Sequence, residues 1–159
     1  MSLNRYRPHV YVVPEDDANR QLANGFRTGV IGRLKVLPEA GGWLSVLDRF
    51  QSQHISAMEA TPQRLLVLLI DFDGQQDRIL TVQRIVPGHL TERVFVLGVL
   101  TNPEELRREL GSYETIGLAL ARDCRDGTDI TWSHALLRHN ANEVARLRDR
   151  IRPILFEGS

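Results

Sequence analysis

Three stretches of this sequence gather side chains that could do chemistry. Glu15, Asp16 and Asp17 follow the run His9–Val13, Asp71 and Asp73 follow Leu65–Ile70, and Thr101, Asn102, Glu104 and Glu105 follow Val94–Leu100. Carboxylates that converge repel one another unless a cation neutralises them, and hard oxygen donors suit Mg²⁺ or Mn²⁺. Such an ion polarises a phosphate, acidifies a water and steadies a leaving oxygen, so the chemistry that fits is phosphoryl transfer. Glu15, Asp71 and Asp73 are the candidate catalytic residues and metal ligands. Glu15 could instead serve as general acid or base, and Asp77 could hold a second ion or a water. Each acid also has an ordinary reading. Asp16 and Asp17 suit a helix cap, Glu104 and Glu105 suit the first turn of a helix, and Asp77 suits a solvated helix face.

These acids can meet only if the elements before them end at a common edge. His9–Val13, a β-branched and aromatic run stopped by Pro14, predicts a buried strand. Arg33–Leu37 predicts a second, Leu65–Ile70 a central one without polar alternation, and Val94–Leu100 a fourth. Between them lie helical patterns. Ala18, Leu22 and Phe26 share one face, Trp43, Leu47, Phe50 and Met58 recur through Trp43–Glu59, and Ile79, Val82 and Ile85 line the inside of Gln75–Ile85. Asn102 and Pro103 open the next helix with Glu105 in the capping-box position. Ser112–Cys124 continues as helix, Arg125–Asp129 reads as a turn, and Thr131 or Ser133 caps a long final helix through about Arg152. Strands alternating with helices predict a three-layer α/β sandwich, with a mostly parallel sheet of four to five strands and helices on both faces. In such a sheet the carboxyl ends of the strands share one edge, where ligands bind.

The placement of Glu15 and Asp71-x-Asp73, 56 residues apart with helix, strand and helix between, resembles the TOPRIM domain of topoisomerases, bacterial primases and overcoming-lysogeny-defect nucleases. That family puts a glutamate just after its first strand and an Asp-x-Asp pair just after its third. The resemblance covers about residues 9–110, leaving a helical segment, 112–153, at the C-terminal side of a single domain spanning 1–159. The nuclease branch often carries a glycine after the glutamate and an acid four positions on; here Asp16 and Asn19 stand there. Some small members also use acids after the fourth strand, which Glu104 or Glu105 would match. The resemblance implies Mg²⁺-dependent cleavage or joining of a nucleic-acid phosphodiester, often beside an ATPase or other protein partner.

Composition narrows the alternatives. The 159 residues carry 20 basic and 20 acidic side chains, and zero net charge argues against a chain that grips nucleic acid alone through a broad basic footprint. Nineteen of the 20 basic residues are arginines, Lys35 being the exception. A receiver-like reading would use Asp16, Asp17, Asp71 and Thr101, but receivers also need a lysine after a fifth strand, which is missing here. Asp71-Phe72-Asp73-Gly74 also looks like the opening motif of haloacid-dehalogenase phosphatases, which place it on the first strand and follow it with threonine rather than Gln75. A non-enzymatic α/β interaction module is the third reading. Cys124, the one cysteine, forbids an internal disulfide and reads as a buried thiol. No apolar run approaches the length of a membrane span, and the polar opening Met1–His9 leads to a cytoplasmic expectation. His134 and His139 do not share a helical face and His54 shows no partner. Trp132-Ser133-His134 is a candidate wall of the site, Trp43 reads as core, and Arg138, Arg146, Arg148, Arg150 and Arg152 form a basic face that is solvated or meets a partner.

Overall fold

Strands His9–Pro14 (β1), Leu34–Val36 (β2), Arg64–Leu69 (β3) and Val94–Leu97 (β4) lie in the order β2-β1-β3-β4, and every pair is parallel. This computed structural model describes residues 4–157, so the first three residues of the polar opening Met1–His9 lie outside it. The expected α/β sandwich is present, with four strands in its sheet. The apolar runs are explained by burial on both faces: Leu65, Leu66, Val67 and Leu68 are all buried.

The helices are Asp17–Thr28 (α1), Trp43–Arg49 (α2), Ile55–Ala60 (α3), Arg78–Ile85 (α4), Pro103–Leu110 (α5), Tyr113–Asp126 (α6) and Ala141–Ile151 (α7). A π-helical turn, Phe50–His54, joins α2 to α3, so the pattern read as one helix is continuous but widened in the middle. Helices α1, α5, α6 and α7 bury Leu22, Leu106, Ile116, Leu120, Val144 and Leu147 against one sheet face. On the other face α2, α3 and α4 bury Val46, Met58 and Val82. The crossover from β1 to β2 therefore runs on one side of the sheet, and the crossovers into β3 and β4 run on the other. The direction of winding reverses between β1 and β3, the point where open α/β sheets form their ligand crevice. Glu15 and Asp71 sit just past the carboxyl ends of those two strands.

Helix α1 lies directly on α6. A Cβ at Gly117 would stand 2.1 Å from the Leu22 carbonyl, and one at Gly25 would stand 2.3 Å from that of Glu114. The two glycines let the backbones touch and so fix where α1 begins.

The final helix departs from expectation, starting at Ala141 rather than near Ser133. The buried Asp123 carboxylate accepts hydrogen bonds from the Thr128 hydroxyl (2.6 Å) and the amides of Ile130 (3.2 Å), Thr131 (2.7 Å) and Trp132 (3.1 Å). Those amides are thereby held in a turn, and a short side chain competing for backbone donors displaces helix here. Trp132 is buried in the core, and His134 pairs with Glu109 at 2.7 Å, so the candidate wall Trp132-Ser133-His134 is a packed turn.

The same segment seals the open edge of β4. Asn140 donates to the Gly98 carbonyl (2.9 Å) and accepts from its amide (3.1 Å), Glu143 accepts from the Val96 amide (2.9 Å), and Arg146 donates to the Val94 carbonyl (3.0 Å). The arginine face of the last helix is largely spent in this way. Arg148 donates to the Thr128 carbonyl and Asp129, Arg150 to the Glu92 carbonyl, and Arg152 to that of Arg125. Cys124 is buried, and burial pushes its thiol above the ordinary range. Among the described residues no helix is long and apolar enough to cross a membrane.

Candidate metal centre

Glu15 is clamped through its backbone. Its amide donates to the Leu69 carbonyl of β3 (2.9 Å), and its carbonyl accepts from Gly41 (2.9 Å) and Gly42 (3.1 Å). With the main chain held on both sides, its side chain turns toward β3, where Oε1 accepts from the Asp71 amide at 3.0 Å. Asp16 caps α1, its Oδ1 accepting from the Asn19 amide at 2.9 Å. That bond turns the carboxylate inward, and one oxygen each of Glu15, Asp16 and Asp71 lies within 4.8 Å of the others. An ion about 2.1 Å from each oxygen holds oxygen pairs roughly 3–4 Å apart, so small side-chain rotations would let all three reach one cation.

The third carboxylate differs from expectation. Glu15 and Asp71 come together as the sequence suggests, but Asp16 stands with them in the place given to Asp73. Asp73 and Gly74 both take positive φ (53° and 75°), and the Gln75 amide closes back on the Phe72 carbonyl at 2.8 Å. Asp-Gly with two left-handed residues is a turn signature, and it sends the Asp73 side chain out to solvent, 71% exposed and 3.7 Å from Arg78. Asp77 is exposed just ahead of α4 and outside the cluster. Glu104 and Glu105 lie in the first turn of α5, where Glu105 accepts from the Thr101 hydroxyl (3.1 Å).

Three further residues frame the cluster without having been singled out from the sequence as site groups. Asn19 is fully buried, and its amide nitrogen donates to Asp16 and Asp71, both at 2.9 Å. With both hydrogens used on carboxylates, its buried Oδ1 has no partner. An orphaned carbonyl is costly, so the amide is held in this orientation by the negative charge beside it. Asn19 stands four residues after Glu15, where the nuclease branch of the resembled family places an acid, and this was the available signal. Arg78 donates to the Asp71 carbonyl at 2.7 Å and lies 4.8 Å over the ring of Trp43, which is half-buried and packs against the core of its sheet face. Tyr113 opens α6 on the opposite side, with Arg107 over its ring at 5.4 Å.

The electrostatics follow from this crowding. Burial raises the Asp71 pKa, opposed by the Asn19 hydrogen bond and reinforced by Asp16 and Glu15, and the carboxyl is pushed up to about 7. A proton on Asp71 can bridge to Asp16. Burial also raises Glu15, partly offset by the bond from the Asp71 amide, with Asp16 and Asp73 adding to the rise and Arg78 opposing it. Burial lifts the Tyr113 hydroxyl, Arg107 opposes the lift, and Glu104, Asp16 and Asp71 add to it. Burial first, and the neighbouring acids second, thus disfavour the charged forms of Asp71 and Glu15. A divalent cation bound by all-oxygen donors would relieve that charge.

No protein-family model, curated protein or solved structure matches this chain.

Proposed function

We propose that this chain is a TOPRIM-like domain performing Mg²⁺- or Mn²⁺-dependent phosphodiester chemistry on nucleic acid, cleavage foremost. The observation that carries the reading is the convergence of Glu15, Asp16 and Asp71 at the switch point of the sheet, around an asparagine whose orientation presupposes their charge. Glu15, Asp16 and Asp71 would hold the ion. Asp73 sits on the adjoining turn, one residue beyond Phe72, and is the candidate fourth carboxylate. When bound, the ion would polarise the phosphate and acidify a water. Asn19 fixes the two aspartates in one orientation.

A polymeric substrate draws support from the other end of β1. Parallel register puts Tyr11 opposite Lys35 on β2 and His9 opposite Arg64 on β3. Arg64 stacks 3.9 Å from the Tyr11 ring centroid, with the Lys35 ammonium 5.7 Å away. Arg64 and Arg49 both act to depress His54, whose pKa burial already lowers. Among the described residues neither arginine nor Lys35 pairs with a carboxylate, so this corner offers cations to a phosphate backbone. A partner protein, an ATPase among the candidates by family resemblance, would add grip that the zero net charge does not supply.

The test is incubation of labelled single-stranded and duplex DNA and RNA with the protein and Mg²⁺ or Mn²⁺. Metal-dependent cleavage is expected, abolished by chelator and reduced more than 100-fold by Asp71→Asn. Intact substrates under every metal condition would contradict it. One observation favours a second reading, a receiver-like interaction module. Asp16 rather than Asp73 joins Asp71, and β2-β1-β3-β4 matches the first four strands of the flavodoxin-type order. Treatment with acetyl phosphate in the same experiment separates the two, since a stable mass gain on Asp71 would select the second.

A further inference from the structure

Arg78 lies beside the carboxylates with more hydrogen-bond donors than its neighbours use. Its stem and guanidinium are largely covered, with 15% of the side chain exposed. One nitrogen is committed, Nη1 to the Asp71 carbonyl at 2.7 Å, and the plane is steadied on Trp43 at 4.8 Å. The carboxylate facing it, Asp73, stands at 3.7 Å and is itself mostly solvated, which is too long for a hydrogen bond. Nε and Nη2 therefore hold donors with no hydrogen-bond partner, on a cation that cannot lose its proton. The guanidinium is close enough to Glu15 to oppose the rise in its pKa.

Glycines occupy the turns next to the carboxylates. Gly41, Gly42 and Gly74 have φ of +93°, +134° and +75°, and a Cβ built on any of them would meet nothing within 4 Å. Two of these glycines donate to the Glu15 carbonyl, and the third follows Asp73 in its turn. Arg78 thus stands beside the carboxylates with donors to spare, and the neighbouring turns carry glycines rather than bulky side chains. We propose that Arg78 is a substrate-binding residue, its free N–H groups taking a non-bridging oxygen of a phosphate ester whose other oxygen faces the ion held by Glu15, Asp16 and Asp71. The geometry suits a planar fork held at one corner and free at the other, which is how arginine recognises phosphate. A phosphate there also competes with Asp73 for the guanidinium and frees that carboxylate to turn toward the ion. This inference rests on the metal reading above and names the anion contact that reading lacks.

The experiment uses Mn²⁺ and dimethyl phosphate, an unreactive diester, on the full chain. Calorimetry gives Mn²⁺ affinity, and broadening of the ³¹P resonance by protein-bound Mn²⁺ gives diester affinity. Arg78→Met keeps a stem to lie on Trp43 and removes the charge. It is expected to bind Mn²⁺ as tightly as wild type or more so, and to lose tenfold or more in diester affinity. Arg78→Lys, which keeps a charge without the fork, is expected to fall between the two, and it serves if the methionine variant does not fold. Inorganic phosphate in place of the diester tests whether a monoester-like anion is taken equally. Diester affinity within twofold of wild type in the folded variants overturns the role of Arg78 and leaves the metal centre standing. Failure of wild type to take up Mn²⁺ overturns both.

Discussion

Replacing Asp71 by asparagine is expected to stabilise the metal-free protein at pH 8, to flatten the dependence of its stability on pH, and to abolish its response to divalent cations. The sign follows from the raised pKa. Asp71 titrates at about 7 in the folded chain and near 3.8 when unfolded. Between those values the native state holds a proton that the unfolded state has released. Stability therefore falls as pH rises through that window, and the loss is complete above pH 7. Glu15 is raised as well and adds in the same direction. A shift of this size would correspond to about 4 kcal/mol in a fully sealed site, but solvent screening at a partly exposed carboxylate reduces it to about 1–2 kcal/mol. In a chain of this length that moves the thermal midpoint by about 3–6 °C. Asparagine has nearly the same shape and still offers Oδ1 to Asn19, so the variant removes charge with little change in packing. Mg²⁺ or Mn²⁺ should raise the wild-type midpoint at pH 8 and have little effect at pH 5, where protons compete for the same oxygens. Thermal unfolding from pH 4 to pH 8, with and without metal, reads all three effects. A wild-type midpoint that rises steadily from pH 4 to pH 8 in the absence of metal would contradict the account.

The second large effect lies far from the site. Asn140→Leu removes the side-chain acceptor and donor bonded to Gly98, just past β4, leaving its buried amide and carbonyl without those bonds, and it also removes the bond to the Leu137 carbonyl. Each orphaned group costs about 1–3 kcal/mol, so a loss of about 3–5 kcal/mol and a fall in midpoint of about 10 °C are expected. Opening this edge also exposes a strand that can pair with another chain, and size-exclusion chromatography should show self-association growing with concentration. Asn140→Asp keeps the acceptor for the Gly98 amide and should lose less. A fall below about 2 °C for Asn140→Leu would mean that other groups seal the edge.

These expectations mark where the sequence was informative. The four buried runs, the break at Pro14 and the caps at Asp16 and Asn102 are local signals, and the parallel sandwich follows from them. Glu15 and Asp71 were legible as partners because a strand end fixes where the next side chain emerges. Asp-x-Asp reads as a ligand pair, but Asp-Gly is also a turn, and the turn decides the direction of the Asp73 side chain. Asp16 was read as a cap and is one, yet the same bond that caps the helix turns its carboxylate into the cluster. Asn19, Arg78 and Tyr113 join the site through contacts that span the sheet, the Asn19–Asp71 pair being separated by 52 residues. No local pattern encodes such a contact. The late start of α7 has the same origin, since Asp123 captures the amides of residues 130–132 from a distance in sequence that periodicity does not weigh.

Titration of the purified chain with Mn²⁺ at pH 8, followed by electron paramagnetic resonance of the free ion, tests the central claim most directly. The account predicts at least one ion taken up per chain, uptake that weakens sharply at pH 5, and a loss of affinity of 100-fold or more in Asp71→Asn and in Asp16→Asn. Uptake that is absent, or that both substitutions leave unchanged, would mean that these carboxylates meet for structural reasons alone.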